Sequence, residues 1–214
     1  LSTGQIAIYI DAVKGANGMI TELIYWKNDG ITNPFYDSTS NENLVTLRMS
    51  QTRATDFGGD KTLEIPYMEP LPTPQPVSET ERIYTTTWRD FDGSNFENIA
   101  VTVMNYIDGY YITIPNEWVE NITIVRKADQ KQRIFKRWDV ENLEAAEELI
   151  RVQVFSIEEW KKDADNYDDY TEITRDFNNV YVIWFGKSQH LPINKENLIS
   201  GFNLFTNVKG ERIN

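Results

Sequence analysis

The sequence predicts an α+β protein, mainly antiparallel β-sheet with a few short helices, preceded by a β-rich N-terminal segment. Three observations favour this class. Segments with strand-like alternation far outnumber helical ones, the helix-prone segments fall late in the chain, and residues 69–80 hold four of the eight prolines. Many strands with a few capped helices are typical of an antiparallel sheet with helices on one face.

The N-terminal region, residues 1–68, is predicted to be β-rich. The turn-rich stretch KGANG separates two alternating segments, which indicates a hairpin, and KNDG predicts a second turn. Pro34 limits its neighbourhood to an edge strand or a loop. The predicted strands of this region are residues 5–13, 19–26, 43–52 and 62–68.

Residues 69–80, EPLPTPQPVSET, form the best linker candidate. Prolines at this spacing exclude both a helix and a central strand. Because proline stiffens a chain, we expect an extended, packed connector between the N-terminal segment and an α+β domain at residues 81–214.

The C-terminal domain alternates strands with three predicted helices. Ser156 and Glu159 form a capping box that opens the second helix, and Asn194 caps the third. The predicted helices lie near 140–148, 157–164 and 195–204. The predicted strands lie at 83–91, 98–107, 108–115, 121–128, 133–140, 149–157, 170–177 and 179–186. The expected core of this domain is Trp118, Phe135, Trp138, Val154, Phe155, Trp160, Val182 and Trp184.

Charge and hydropathy exclude several classes of partner. The formal net charge is −12, with 33 acidic and 21 basic residues. Nucleic acid and anionic membrane surfaces call for basic patches, so neither is expected as a partner. No apolar run approaches the roughly 18 residues of a membrane span, so we expect no transmembrane segment in this chain.

Cysteine and histidine usage restricts the chemistry. The chain has no cysteine, which excludes disulfides, thiolate catalysis and Cys-type metal sites. It has a single histidine, His190, so a multi-His metal site within the chain is excluded as well. His190 lies in the polar stretch GKSQHLPIN and is predicted to be a surface-loop residue.

The stretch DFGGDKTLEIP, residues 56–66, is the strongest candidate for metal chemistry. It is similar to the D-x-N-x-D-G-x-x-E-I-P stretch of FG-GAP or VCBS-type propeller repeats in exported bacterial proteins. The resemblance implies a calcium loop with Asp56, Asp60 and Glu64 as ligands, and a propeller-blade-like sheet in the N-terminal segment. Gly58 and Lys61 depart from the pattern, since one removes a ligand and the other replaces a turn glycine.

These departures favour a degenerate loop without metal, and so no cofactor. We expect Asp56 to accept backbone hydrogen bonds within the turn. Lys61 should point to solvent or neutralise the neighbouring carboxylates, Ile65 should be buried, and Pro66 should end the strand pairing.

A second resemblance runs from Asn105 to Gly186. GYYITIPNEW, the NITIVRK and RIFKRWD hairpin, LIRVQVFSIEEW and YVIWF resemble the C-terminal region of clostridial-type (Firmicutes) exported lipoproteins. They are more remotely similar to PsbP-like α+β domains. The resemblance implies a protein that is extracellular or anchored at the cell surface, through a lipoprotein signal that is not present in this chain. Leu1, in place of an initiator Met, is in keeping with a trimmed piece of a longer polypeptide.

Other candidate sites have simpler structural explanations. The acidic run 163–169 is expected to be a solvated loop, and residues 90–95 a β-turn. With 33 acidic residues, some pair of carboxylates always exists, so the presence of a pair is no evidence for a glycoside hydrolase. No pair is marked by its neighbouring residues as the acid and base of such an enzyme. Six tryptophans could form a sugar platform, although core packing explains most of them.

The sequence therefore favours a non-catalytic, exported cell-envelope protein that binds or scaffolds an unidentified protein or polysaccharide at the cell surface. The alternative is a carbohydrate-binding or carbohydrate-active, glycoside hydrolase-type protein. A cleft with facing carboxylates would favour the enzyme, and a flat row of exposed Trp or Tyr would favour sugar binding.

Overall fold

A computed structural model describes residues 1–16, 18–79, 81–141 and 146–205. Within these ranges the chain is mostly antiparallel β-sheet with a few short helices, as the sequence predicts. The strands are β1 (Ala7–Lys14), β2 (Gly18–Lys27), β3 (Gly30–Thr32), β4 (Ile65–Pro70), β5 (Tyr84–Phe91), β6 (Phe96–Asn105), β7 (Tyr110–Thr113), β8 (Ile122–Lys127), β9 (Gln132–Arg137), β10 (Glu148–Ser156), β11 (Tyr170–Arg175), β12 (Asn179–Phe185) and β13 (Phe202–Leu204). The α-helices are α1 (Ile157–Asp163) and α2 (Lys195–Ser200). Short 3-10 turns lie at Asn116–Trp118, Ala128–Gln130 and Ala164–Tyr167.

The strands form three sheets, with the orders β1-β2-β3, β11-β12-β10-β9-β8 and β13-β7-β6-β5-β4. The chain divides into two compact units. The N-terminal unit is Leu1–Glu69 with Thr85–Thr102, and the C-terminal unit is Pro70–Tyr84 with Val103–Asn214. Residues 85–102 group with the N-terminal residues because β5 is a sheet neighbour of β4, which sequence alternation alone does not indicate.

The N-terminal unit begins with the predicted hairpin of β1 and β2, whose pairing runs from Ala7 opposite Tyr25 to Lys14 opposite Gly18. A second tight turn joins β2 to β3. Asn28 and Asp29 both have positive φ there, as two-residue hairpin turns require. Asn and Asp tolerate this conformation better than most residues, which explains why KNDG forms a turn.

One side of this sheet packs onto an aromatic cluster. Leu23, Tyr25, Phe35, Ile65 and Phe91 are all buried together. The Phe35 ring lies 5.0 Å from the Phe91 ring, in an edge-on arrangement. The prediction that Ile65 is buried is confirmed.

Residues 43–52 do not form the predicted strand. A single antiparallel bridge joins Arg48 to Met19, through backbone bonds of 2.9 and 3.0 Å. The inward-facing side chains of this segment are polar. They make hydrogen bonds with the backbone of β2, in the place of the backbone–backbone bonds of a strand pair. Asn43 Nδ2 and Thr46 Oγ1 both donate to the carbonyl of Thr21, at 3.0 and 2.9 Å. Buried and exposed side chains alternate in most of this segment, as predicted. The segment is extended, but its side chains and not its backbone make most of the bonds to β2.

In the C-terminal unit, β8 to β12 form an antiparallel sheet around the predicted core. Five of the eight predicted core residues are buried: Trp118, Phe135, Val154, Phe155 and Val182. Trp138, Trp160 and Trp184 are half-buried. The indole N–H of Trp118 donates to the carbonyl of Pro192 at 3.0 Å, so its buried polar group is satisfied.

Helix α1 begins at the predicted capping box. Ser156 Oγ accepts from the Glu159 N–H, and the Glu159 carboxylate accepts from the Ser156 N–H. The helix packs on the sheet through Phe155, whose ring lies 5.2 Å from Trp160 and 4.8 Å from Tyr167. Phe155 therefore anchors α1 and the following turn.

The third predicted helix, 195–204, is too long. Asn194 caps it as predicted, but α2 ends at Ser200 and residues 202–204 form β13 beside β7. The chain changes direction at Gly201. A larger residue would clash there, because its Cβ would lie 2.9 Å from the Cβ of Thr113. The Gly201 carbonyl accepts the Thr113 N–H at 2.9 Å, so the chain leaves the helix to join the sheet.

Two further predictions concern element ends. The predicted helix near 140–148 falls largely on residues 142–145, which lie outside the described residues, and Glu148 already belongs to β10. Pro66 does not end the strand pairing, since β4 continues from Ile65 to Pro70. A proline near the start of a strand is compatible with sheet structure when its missing N–H is not needed for the ladder.

Phe155→Ala is expected to destabilise the protein by about 3–5 kcal/mol, because it leaves a cavity beneath α1. Urea unfolding monitored by circular dichroism measures this change. Phe177→Ala is the control, since Phe177 is 98% exposed and should change stability by no more than about 0.5 kcal/mol. Equal effects of the two substitutions would contradict the assigned core.

Candidate functional site

The loop at residues 56–64 is organised by its own carboxylates. One oxygen of Glu64 accepts the N–H groups of Phe57 and Gly58, at 2.6 and 3.2 Å. Asp56 accepts the N–H of Lys61 at 3.1 Å, which confirms its predicted role. Asp60 accepts the N–H of Thr62 at 2.8 Å.

The three predicted calcium ligands therefore each serve the loop backbone. In the part of the chain that the structure describes, no group of three or more His, Cys, Asp or Glu residues is arranged to hold a metal ion. Lys61 adopts φ +75°, the left-handed conformation that the family pattern assigns to glycine. The turn forms although Lys61 replaces the glycine, and Asp56 accepts the Lys61 N–H in this conformation. The absence of bound calcium stays a prediction.

Packing also fixes this loop. The Phe57 ring stacks on Trp88, with ring centroids 4.6 Å apart and nearly parallel planes. The Trp88 indole is buried and donates to Thr102 Oγ1 at 3.0 Å. Hydrogen bonds thus fix the backbone of the loop, and stacking on Trp88 fixes its Phe57 side chain. Both contacts are typical of a structural loop.

Glu64 is a buried carboxylate inside the N-terminal unit, 1% exposed. Burial raises its pKa, against the opposing effect of the two backbone hydrogen bonds. The hydroxyl of Tyr9 is buried without a hydrogen-bond partner among the described residues. Burial, with the charges of Asp90 and Glu64, raises the pKa of Tyr9 to about 12. Burial therefore acts against ionisation of both Tyr9 and Glu64.

A shallow depression of about 320 Å³ lies in the C-terminal unit. Tyr106, Asp108, Lys131, Asp176 and Tyr181 line it, among others. It is the candidate in this unit for a small-molecule site, because it combines aromatic and charged groups.

Asp176 in this depression is committed to structure. Its carboxylate accepts the N–H groups of Asn178 and Asn179, at 2.8 and 2.7 Å, and the Tyr181 hydroxyl at 2.9 Å. Burial alone would raise the pKa of Asp176, but these donors together lower it. A lowered pKa favours the ionised form of Asp176, whereas the general acid of glycoside hydrolysis needs a raised pKa.

One wall of the depression is aromatic. The rings of Tyr106 and Phe205 stack with centroids 5.2 Å apart, and Tyr106 is nearly half exposed. Lys131 and Asn179 lie on the same lining. An aromatic face beside polar groups suits a sugar ring, so this wall is the feature that favours carbohydrate binding.

His190 lies beside a serine and a carboxylate but not as a catalytic triad. Its Nδ1 is 3.0 Å from Glu147, and its side chain is exposed, as predicted. The Ser188 hydroxyl donates to Glu147 and not to the imidazole, so His190 is not placed as the base of a Ser-His-Asp triad. These bonds to Ser188 and His190 lower the pKa of Glu147.

The other acidic segments are turns. Asp92 Oδ1 accepts the N–H groups of Ser94 and Asn95, both at 2.7 Å, and Gly93 has φ +102°. The β-turn predicted at 90–95 is confirmed. The run 163–169 spans the end of α1 and a 3-10 turn, where Tyr167 packs against Phe155.

A group of exposed apolar residues lies on the N-terminal sheet, on the side opposite its core. Alternation along β1 and β2 directs one set of side chains to each side. We name the exposed side the outer face. Its apolar residues are Ile6, which precedes β1, with Ile8, Ile10, Ile20, Ile24, Trp26 and Ile31.

The outer face was missed in the sequence, although a signal exists. β2 is apolar on both sides: Leu23 and Tyr25 point inward, while Ile24 and Trp26 point outward. An antiparallel strand with one solvated side alternates apolar and polar residues, whereas a strand covered on both sides is apolar throughout. Of the six tryptophans, Trp26 is the exposed one, and the other five are buried or half-buried, which agrees with the predicted core role.

No family model, curated protein or solved structure matches the chain. None of the helices in the described ranges is long and apolar enough to cross a membrane.

Glu64→Gln keeps an acceptor for the two loop N–H groups and removes the buried charge. Because the pKa of Glu64 is raised in the folded state, the wild-type carboxylate lowers stability as pH rises through that pKa. The stability of Glu64→Gln relative to wild type should therefore increase between pH 4 and pH 7. Glu64→Ala should cost about 1–3 kcal/mol, since it leaves buried donors unpaired. Thermal unfolding across pH checks both, and a pH-independent difference for Glu64→Gln would contradict the burial effect.

Calcium titration tests the loop directly. We expect no calorimetric heat and no change of melting temperature when calcium is added to the intact protein, because the three carboxylates are bonded to backbone N–H groups. Micromolar binding that Asp60→Ala abolishes would show a working calcium site.

Proposed function

We propose that this chain is a non-catalytic, exported cell-envelope protein that binds or scaffolds other proteins. The observation that carries the proposal is the outer face of the N-terminal sheet. The envelope location rests on the resemblance to exported lipoproteins.

The size of the outer face supports a docking role. Ile6, Ile8, Ile10, Trp26 and Ile31 are 89%, 60%, 44%, 60% and 76% exposed. These fractions correspond to roughly 600–700 Å² of accessible surface, which is at the upper end of the largest apolar patch on a typical monomer, about 300–600 Å². Apolar patches of this size occur at protein–protein interfaces.

The composition of the outer face favours a protein partner over a polysaccharide. Its exposed residues are isoleucines with a single aromatic ring, Trp26. Sugar sites present aromatic rings beside hydrogen-bonding groups, whereas branched aliphatic side chains bind other apolar side chains. A mainly aliphatic sheet face is suited to the apolar face of another protein.

The charged groups of the described residues support a non-catalytic role. Glu64 holds loop N–H groups, Asp176 holds a turn, and Glu147 holds Ser188 and His190. Each of these three carboxylates accepts hydrogen bonds that stabilise the fold.

Carbohydrate binding is the second candidate function, and the Tyr106 wall favours it. The depression is open and small, so it would accept one sugar unit of a longer chain. Its position in the C-terminal unit separates its test from that of the outer face.

Both functions are tested by the binding of the purified chain to cell-envelope fragments. The fragments come from a Firmicutes-type bacterium that exports the protein. The purified chain should co-sediment with the fragments, and the double variant Ile8→Lys/Ile31→Lys should lose this retention at least about tenfold, because each lysine would be buried unpaired. Phe177→Lys, which changes charge at an exposed site outside the face, should bind like wild type.

Retention that survives the double variant would refute docking through the outer face. If Tyr106→Ala or digestion of the polysaccharide then abolishes it, the carbohydrate function is the correct one.

A further inference from the structure

We propose that the outer face docks onto the outer face of a second copy of this chain, as a face-to-face dimer. The inference rests on the proposed function, because it names the partner of the same surface. Its evidence is the area, the composition and the strand pairing of that face.

The first argument is area. Complete contact between two outer faces would bury roughly 1,200–1,400 Å² together, at the lower end of the about 1,200–2,000 Å² of a standard specific interface. A contact of this size excludes water from isoleucines that are otherwise between 44% and 89% exposed. One copy alone therefore carries half of an interface of stable size.

The second argument is the pattern of the strands. Ile8 pairs with Ile24, and Trp26 pairs with Ile31, so apolar side chains lie side by side across all three strands. Two such surfaces pack face to face about 10 Å apart in β-sandwiches. A two-fold contact uses the same patch on both copies, and a mainly apolar surface satisfies that requirement with Glu22 as its one acidic residue among these strand pairs.

The third argument concerns Glu22, whose strand position places it on the same face, opposite Ile10. Its carboxylate accepts the Asn33 amide at 2.6 Å, so one of its hydrogen bonds is made within the copy. The remaining charge is still costly to bury. Glu22→Gln should therefore strengthen the dimer, whereas a partner with a basic residue opposite Glu22 would lose affinity from the same change.

Net charge gives a second way to distinguish a second copy of this chain from a basic protein as the partner. Each copy carries a formal charge of −12, so two copies repel each other. Salt screens that repulsion, and the dimer should become stronger with ionic strength. Binding to a basic partner would become weaker.

Sedimentation velocity of the purified chain, from low micromolar to submillimolar concentration, is the test. We expect a reversible monomer–dimer equilibrium that Ile8→Lys/Ile31→Lys weakens at least about tenfold. These lysines make the chain less negative, so general repulsion cannot explain the loss. Phe177→Lys should leave the equilibrium unchanged, and circular dichroism should show that every variant is folded.

Cross-linking locates the contact, since the chain has no cysteine of its own. Under mild oxidation Ile20→Cys or Ile24→Cys should yield a covalent dimer, and Phe177→Cys should not. A disulfide needs Cα atoms within about 7 Å, so a bis-maleimide that spans a longer gap is applied to the same variants. A dimer that neither reagent cross-links at Ile20→Cys or Ile24→Cys uses another surface, which would overturn the inference.

The outcomes separate this inference from the proposed function. A chain that stays monomeric at all concentrations, yet needs the outer face for envelope retention, refutes the dimer and leaves the docking function in place. If the double variant alters neither sedimentation nor retention, both are wrong.

Discussion

The buried guanidinium of Arg48 is the interaction on which the N-terminal unit depends. Its side chain is fully buried, and a buried cation is stable only when its donors are paired. It reaches the Asp11 carboxylate on β1 and the Thr21 hydroxyl on β2, both at 3.0 Å. It also donates to the carbonyl oxygens of Thr46 and Thr52. One side chain thereby joins two strands to the extended segment that crosses them.

This pairing decides which side of the sheet is covered. Because β2 is apolar on both sides, hydrophobicity alone does not determine which side faces the core. Asp11 and Thr21 lie opposite each other on the inner side, and Arg48 can bond them only from there. Buried ion pairs add little net stability, but they disfavour alternative arrangements in which a charge is left unpaired. The outer face is exposed as a consequence.

Elements whose signals lie within a few residues could be predicted from sequence. The β1–β2 hairpin, the turn at 90–95 and the capping box at Ser156 are of this kind. The end of α2 could not be, because it depends on Thr113, which lies far away in the chain. The loop at 56–64 was recognised as a candidate site from its acidic pattern. The actual role of Glu64 depends on its burial, which is a property of packing that the pattern does not contain.

The position of β1 at the edge of its sheet has a consequence for folding. Within the described residues, one row of its backbone N–H and C=O groups has no neighbouring strand, and isoleucines alternate along it at positions 8 and 10. Such an edge is a template for strand addition, which leads to fibrils when chains are concentrated. Lys14 ends the strand with a charge, and charged residues on edges are a common protection against this outcome. Rapid closure of the β1–β2 hairpin would limit the time for which the template is open.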